Sequence, residues 1–389
     1  MRNKTNGIAE RALLSFILIT IVGIISCAPK DNGLRYTPPH PPFTQNGRTY
    51  ADILREGDKD FIKALYDPSL TAVTKEFGFT VIDKNKSLPF HSELATADIT
   101  PWSSWWFPKR DSSFFDDSNA ENETDYNKLS ILSKYDLMRS SRSGEHSSAV
   151  NYERRNFNRD ALPWEGLCDA WAIASISVPE PKRNVTVKLN DSNRTKITFN
   201  VKDLKGLLLK TFEAIDDHNF KYYGQKFTGQ ESSWIYPDIF PEQFHRLLEI
   251  QLFEKHKPFI IDTDQGTEMW SAPVFKANYI MTEIPNEPNS LYVRTWVYIA
   301  DSIKTDDKAF VGTKEVVREY NYVLKGYRND KNELVINLGY WVTGPTGNNS
   351  RHDHPDFIII PPDRTQLVRK SWNPEIDISL IDEILSKSY

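Results

Sequence analysis

Only two cysteines stand in this chain of 389 residues, Cys27 and Cys168. Two cysteines close at most one bridge, so a disulfide framework is excluded, as is a zinc site built from several thiolates. The chain must therefore hold itself together by burying a core. The means are present: 39% of its residues are hydrophobic and 12% aromatic, including 10 Trp, 17 Tyr and 21 Phe. After its N-terminal segment the length suits one large domain or two small ones. A net charge of −5 gives no basic footprint for nucleic acid.

The N-terminal segment accounts for one of the two cysteines. Arg2, Lys4 and Arg11 precede a weakly polar to apolar run over residues 12–26. That run is shorter than the roughly 20 residues of a spanning helix and reads as the apolar region of an export signal. It ends Ile24-Ile25-Ser26-Cys27, which resembles the lipobox of bacterial lipoproteins. Cleavage before Cys27 would make that residue the acylated N-terminus, and two or more acyl chains suffice for stable anchoring. The expected organisation is a signal peptide over 1–26, a tether over 27–48 stiffened by Pro29, Pro38, Pro39, Pro41 and Pro42, and a domain over 49–389. The expected location is the bacterial cell envelope, lipid-anchored in the outer membrane or at the cell surface. With Cys27 spent on lipid, Cys168 has no partner within the chain.

Within the domain, helical periodicity is clearest over residues 204–215, 241–254 and 378–386, and β-type runs recur at 196–201, 259–262, 292–299, 320–325, 334–342 and 357–360. The stretch 111–148, rich in Asp, Asn, Ser and Glu, reads as a long surface excursion. Helices followed mostly by strands predict an α+β domain. Its centre is Pro163-Trp164-Glu165-Gly166-Leu167-Cys168-Asp169-Ala170-Trp171-Ala172. Pro163 and Gly166 make a loop, and the small and apolar residues after it make a short buried helix closed by Pro179. Cys168 falls in its first turn, where free N–H groups and the positive dipole end favour a thiolate, the species that nucleophilic catalysis needs.

These residues resemble the transglutaminase elicitor family, known from oomycete cell-wall transglutaminases and bacterial relatives. The likeness rests on Trp164-x-Gly166-x-Cys168-x-x-Trp171-Ala172 and on islands in order from Trp102 to Pro362. They include Trp102, Trp105 and Pro108; Lys134-Tyr135-Asp136-Leu137; Glu268-Met269-Trp270-Ser271-Ala272-Pro273-Val274; Gly339-Tyr340-Trp341; and His354-Pro355-Asp356-Phe357. The chain departs from the family pattern at Asp169, where a histidine is frequent, and at Ser271-Ala272, where the family has Asn-Gln. The resemblance implies a papain-like or transglutaminase-like core, with the cysteine at the start of a buried helix packed on an antiparallel sheet. It implies acyl transfer: Cys168 attacks the carboxamide of a protein glutamine, ammonia leaves, and a lysine or polyamine resolves the thioester into an isopeptide bond. Water as acceptor would make the same machinery a cysteine protease or deamidase. A non-catalytic surface binding module is the rival from another class.

A cysteine nucleophile needs an imidazole in reach, oriented by a carboxylate or amide. His245 with Asp262 is the favoured pair and His354 with Asp356 the alternative. Trp164 and Trp171 are the expected aromatic walls at the substrate and oxyanion side. No cofactor and no metal is expected, since no calcium-binding loop of the EF-hand kind is present. The expected partners are protein substrates bearing Gln and Lys, polyamines, and a lipid membrane reached through Cys27.

Overall fold

The computed structural model describes residues 71–389 apart from 121–124, 145, 225–238, 264–267 and 343–353, together with the paired two-residue strands Thr44–Gln45 and Arg48–Thr49. The expected signal peptide, Cys27 and most of the tether lie outside the described residues. No helix among the described residues is long and apolar enough to cross a membrane.

Five helices surround the cysteine or cover the sheet: α1 (Ile131–Ser143), α2 (Cys168–Ser177), α3 (Val201–Lys210), α4 (Pro241–Leu248) and α5 (Ile378–Ser386). The strands are β1 (Phe259–Asp262), β2 (Ser271–Glu283), β3 (Ser290–Ala300), β4 (Glu315–Arg328), β5 (Leu334–Trp341) and β6 (Phe357–Ile360). They form one antiparallel sheet in the order β5, β4, β3, β2, β1, β6, extended at its ends by Val81–Ile82 and Lys221–Gly224. This is the α+β architecture the sequence implied, with Cys168 as the first residue of a buried helix against β2.

The sheet has two covered faces, and alternation along β1 shows it. Ile260 packs with α2, α3 and α5 in one core, while Phe259 and Ile261 pack with α4 in the other. Helix α3 is fixed by a reciprocal capping box: the Asn200 side chain accepts from Asp203 N–H, and the Asp203 carboxylate accepts from Asn200 N–H. Helix α4 opens with Pro241 at its first turn, which suits the fixed proline φ, and runs on into a π-helical turn, Glu249–Glu254.

Two expectations are corrected. Residues 111–148 are not a surface excursion throughout: α1 carries Ile131, Leu132, Tyr135 and Met138 into the first core. Their spacing is that of one helix face, diluted in the sequence by Ser, Lys, Arg and Asp between them. The thirteen-residue strand β2 was not expected either. It is buried on both faces, so its sequence lacks polar alternation, and Pro273 and Asn278 interrupt the β-type composition that marks its neighbours.

Candidate functional site around Cys168

The loop before α2 is held by residues 102–107, which carry Trp102, Trp105 and Trp106. Leu167 N–H donates to Trp106 O at 2.8 Å and Lys109 N–H to Glu165 O at 2.8 Å. Between these bonds the Trp106 ring packs against Gly166: a Cβ there would stand 2.6 Å from Trp106 Cε3. The glycine two residues before the cysteine is thus required by a ring, not by its own dihedral angles. Phe107 takes a φ of 45°, a left-handed conformation costly for a bulky side chain, while its ring is buried against Phe114. Trp171 Nε1 donates to Trp102 O at 2.8 Å, which ties helix to loop. Beneath them the buried Lys205 ammonium donates to Ser103 O at 2.6 Å and Glu180 Oε1 at 2.8 Å.

Cys168 is buried, with its thiol 3.7 Å from Met269 O and 3.8 Å from Asp169 Oδ1. Asp169 in turn accepts from the Ser271 hydroxyl. Ser271 is the cross-strand partner of Asp262 in the β1–β2 pair, and Asp262 Oδ1 accepts from Trp270 N–H at 2.8 Å. Burial pushes the Cys168 thiol well above the usual cysteine range; the Asp169 and Asp262 charges push the same way, opposed by backbone N–H groups of Ser271 and Asp169. The start of α2 is where the sequence placed it, but burial and two carboxylates act against the thiolate expected there.

The thiol lies on a cavity of about 370 Å³ with Trp106, Trp171 and Trp270 as aromatic walls and Glu268, Asp301 and Arg318 as charged ones. The Trp106 and Trp270 rings meet edge to face, with centroids 5.4 Å apart. Trp171 lines the cavity. Trp164 is half-buried and is not among the residues that line the cavity. Trp270 and Arg318 were not singled out as site residues. Trp270 sits in a motif quoted for its resemblance, whereas Arg318 carries no local signal.

The structure does not bring His245 to Cys168. His245 is fully buried on α4, in the second core, with its ring against Tyr279 and Tyr322. Its Nδ1 shares a hydrogen bond of 2.7 Å with the Tyr322 hydroxyl, and Nε2 lies 3.7 Å from Glu249 Oε1. Burial lowers its pKa and keeps the ring neutral. Tyr279 is eight residues along β2 from Ser271, roughly 25 Å of strand. The expected pairing of His245 with Asp262 therefore fails in space: the two residues point to opposite faces of the sheet. A one-residue change of parity along β1 decides this, and spacing in sequence does not reveal it.

Asp262 and Asp356 are both fully buried and adjoin one another, Asp356 N–H donating to Asp262 O at 3.3 Å. His354 stacks on Trp341, with ring centroids 5.2 Å apart and planes within 13°. Gly224 allows Asp356 to approach: at φ 83°, its Cβ position would fall 2.7 Å from Asp356 O.

Residues 140–294, which include Cys168 and Asp262, match the model of the transglutaminase elicitor family. Among solved structures, the GP42 transglutaminase from Phytophthora sojae superposes with a TM-score of 0.53 at 18% identity, over 82% of this chain and 97% of that one. At that identity the likeness speaks for the fold alone. No curated protein sequence matches the chain. The cysteine-bearing half of this domain is thus a match to the transglutaminase elicitor family, on a fold shared with a transglutaminase.

Proposed function

We propose that this protein is a cysteine-dependent acyltransferase of the transglutaminase kind. The observation that carries the reading is the setting of Cys168: a lone thiol at the first residue of a buried helix, opening on a cavity with three tryptophan walls. Such walls exclude water from a thioester and accept the methylenes of a glutamine side chain. Cys168 attacks the carboxamide, the tetrahedral oxyanion is met by backbone N–H groups at the helix start, and ammonia departs. A lysine or polyamine amine then displaces the thiol. Burial and the two carboxylates favour the protonated thiol, so in this reading its proton is removed as attack occurs, as in a serine enzyme. The base in this reading is His354, the alternative the sequence offered; no hydrogen bond joins it to Cys168 in this structure, and its ring stacks on Trp341, which packs on the second core. Asp356, or Asp262 joined to it through the backbone, would be the carboxylate that orients it.

A non-catalytic binding module on the same scaffold is the second reading. It is favoured by one observation: among the described residues no histidine hydrogen-bonds the Cys168 sulfur, while two carboxylates raise its pKa. We further propose, on the sequence pattern of residues 12–27, that the protein is exported and acylated on Cys27. Replacing Cys27 by Ser would then move it from the detergent phase to the soluble fraction; unchanged partitioning would refute the anchor.

Incorporation of a labelled amine into a glutamine-containing protein separates the two functional readings. The acyltransferase incorporates label and the Cys168→Ala protein does not. Label at the same level in both, or in neither while a fold measurement is intact, leaves the binding module.

A further inference from the structure

Arg318 lines the Cys168 cavity, and the acyl-transfer steps make no use of it. It projects from β4, beside Val297 of β3, onto the cavity wall. Its Nε is buried without a hydrogen-bond partner. Among the described residues its guanidinium has neither a hydrogen bond nor an ion pair. Two carboxylates line the same cavity, Glu268 and Asp301, and each is engaged elsewhere. Asp301 holds Lys314 Nζ at 2.6 Å and accepts from Ser302 N–H at 2.8 Å. Glu268 accepts from Trp270 Nε1 at 2.9 Å. A half-buried guanidinium in a low-dielectric wall costs stability unless something pairs with it. Among the described residues that pairing is left unmade, on the surface that faces the nucleophile.

We propose that Arg318 is an anion subsite, taking a carboxylate of the substrate beside the group that reaches Cys168. The planar fork of a guanidinium fits a carboxylate through two parallel N–H donors. The carboxylate belongs to the acyl donor, either the free α-carboxylate of a C-terminal glutamine or an acidic side chain flanking the reactive one. The substrate sense of this subsite rests on the acyltransfer reading; the subsite itself does not.

Alkylation of Cys168 in the full chain tests it, using iodoacetate against iodoacetamide and reading the Cys168 peptide by mass spectrometry. In both reactions the same thiolate displaces iodide, so any change in thiol acidity cancels from the ratio of rates, and only the carboxylate differs. The wild-type ratio of iodoacetate to iodoacetamide rates is expected to exceed that of Arg318→Gln by about tenfold, the factor that corresponds to 1.4 kcal/mol. Arg318→Lys, which keeps the charge and loses the fork, falls between. Should Arg318→Gln fail to fold, acetate protection of the wild-type protein replaces it: acetate should slow iodoacetate more than an equal concentration of chloride does. An equal ratio in wild type and variant, or equal protection by the two salts, overturns the subsite. Glutamine peptides with a free C-terminal carboxylate, a flanking Glu, or neither then name the source. The peptide whose KM advantage disappears in Arg318→Gln carries the recognised group, and no KM advantage for either acidic peptide in wild type overturns the substrate role. Loss of the acyltransfer reading would leave the alkylation ratio untouched, so the two failures are distinguishable.

Discussion

Cys168 and His245 are both buried and both sit among aromatic rings, one on each side of the same sheet. They differ in what they face. The Cys168 thiol opens on a cavity whose walls come from separate chain segments. The His245 ring closes on Tyr322, whose hydroxyl also shares a hydrogen bond of 2.8 Å with Thr295, so the imidazole is one link of a buried polar chain, its Nε2 left without a hydrogen-bond partner among the described residues. Residue type, burial and aromatic company are common to chemistry and to core packing. Access to a cavity separates the two. Substitutions on the two sides should therefore move different observables.

The largest separation is expected at the nucleophile. Cys168→Ala should bring amine incorporation down to background while stability falls by only about 1 kcal/mol, because little packing is removed. Urea denaturation beside the incorporation assay checks both; incorporation in the alanine variant would break the comparison at once. Next come the two histidines. His354→Gln should lower the acylation rate by about 10²–10⁴-fold, the usual loss of a general base, with a small stability change. His245→Gln should leave the rate within about twofold. It should cost roughly 1–3 kcal/mol in stability by disturbing the bond to buried Tyr322. The reverse result would make His245 the base and require a different arrangement of the sheet faces.

A pH effect sharpens the contrast on the closed side. Glu242, fully buried on α4, has its pKa pushed up by desolvation to about 7 from an ordinary 4.5. The folded state holds this proton more tightly than the unfolded state. Stability from this group is thus fully present below about pH 4.5 and is lost as pH rises through 7, by about 3 kcal/mol at roughly 1.4 kcal/mol per unit. Glu242→Gln should be more stable than wild type by about that amount at pH 8 and equal to it at pH 4. Parallel denaturation curves at both pH values decide it.

The smallest effect is expected on the open side. Asp169 is the nearest charge that raises the Cys168 pKa. The iodoacetamide rate of the wild-type protein should still be climbing above pH 9, and Asp169→Asn should move its midpoint downward. A wild-type rate already level by pH 7 would restore the resting thiolate that the helix start alone suggests.

Strands β1 and β6 and helix α5 fall where period and composition placed them, and so does Cys168 at the first residue of α2. These are short elements with a strong local signal at each end. The walls of the cavity were less legible. Trp106 and Trp171 lie in motifs, but that Trp106 seals Gly166 is a contact across about sixty residues of chain. Arg318 looks like any charge on a strand until its neighbours are seen to be paired elsewhere. The pairing of His245 with Asp262 was misread for a related reason. His245 and Asp262 have suitable types and spacing, but the face to which a strand residue points is set by register and curvature, which no local pattern encodes.

The most direct test is the covalent intermediate itself. The intact mass of the protein would be measured after rapid mixing with a glutamine-containing peptide in the absence of amine, for wild type, Cys168→Ala and His245→Gln. The expected result is an adduct of the peptide less ammonia in wild type and in His245→Gln. It should map to Cys168, be released by hydroxylamine, and be absent from Cys168→Ala. An adduct that persists in Cys168→Ala, or that disappears in a folded His245→Gln protein, would contradict the assignment of the reactive side of this fold to Cys168 and its cavity.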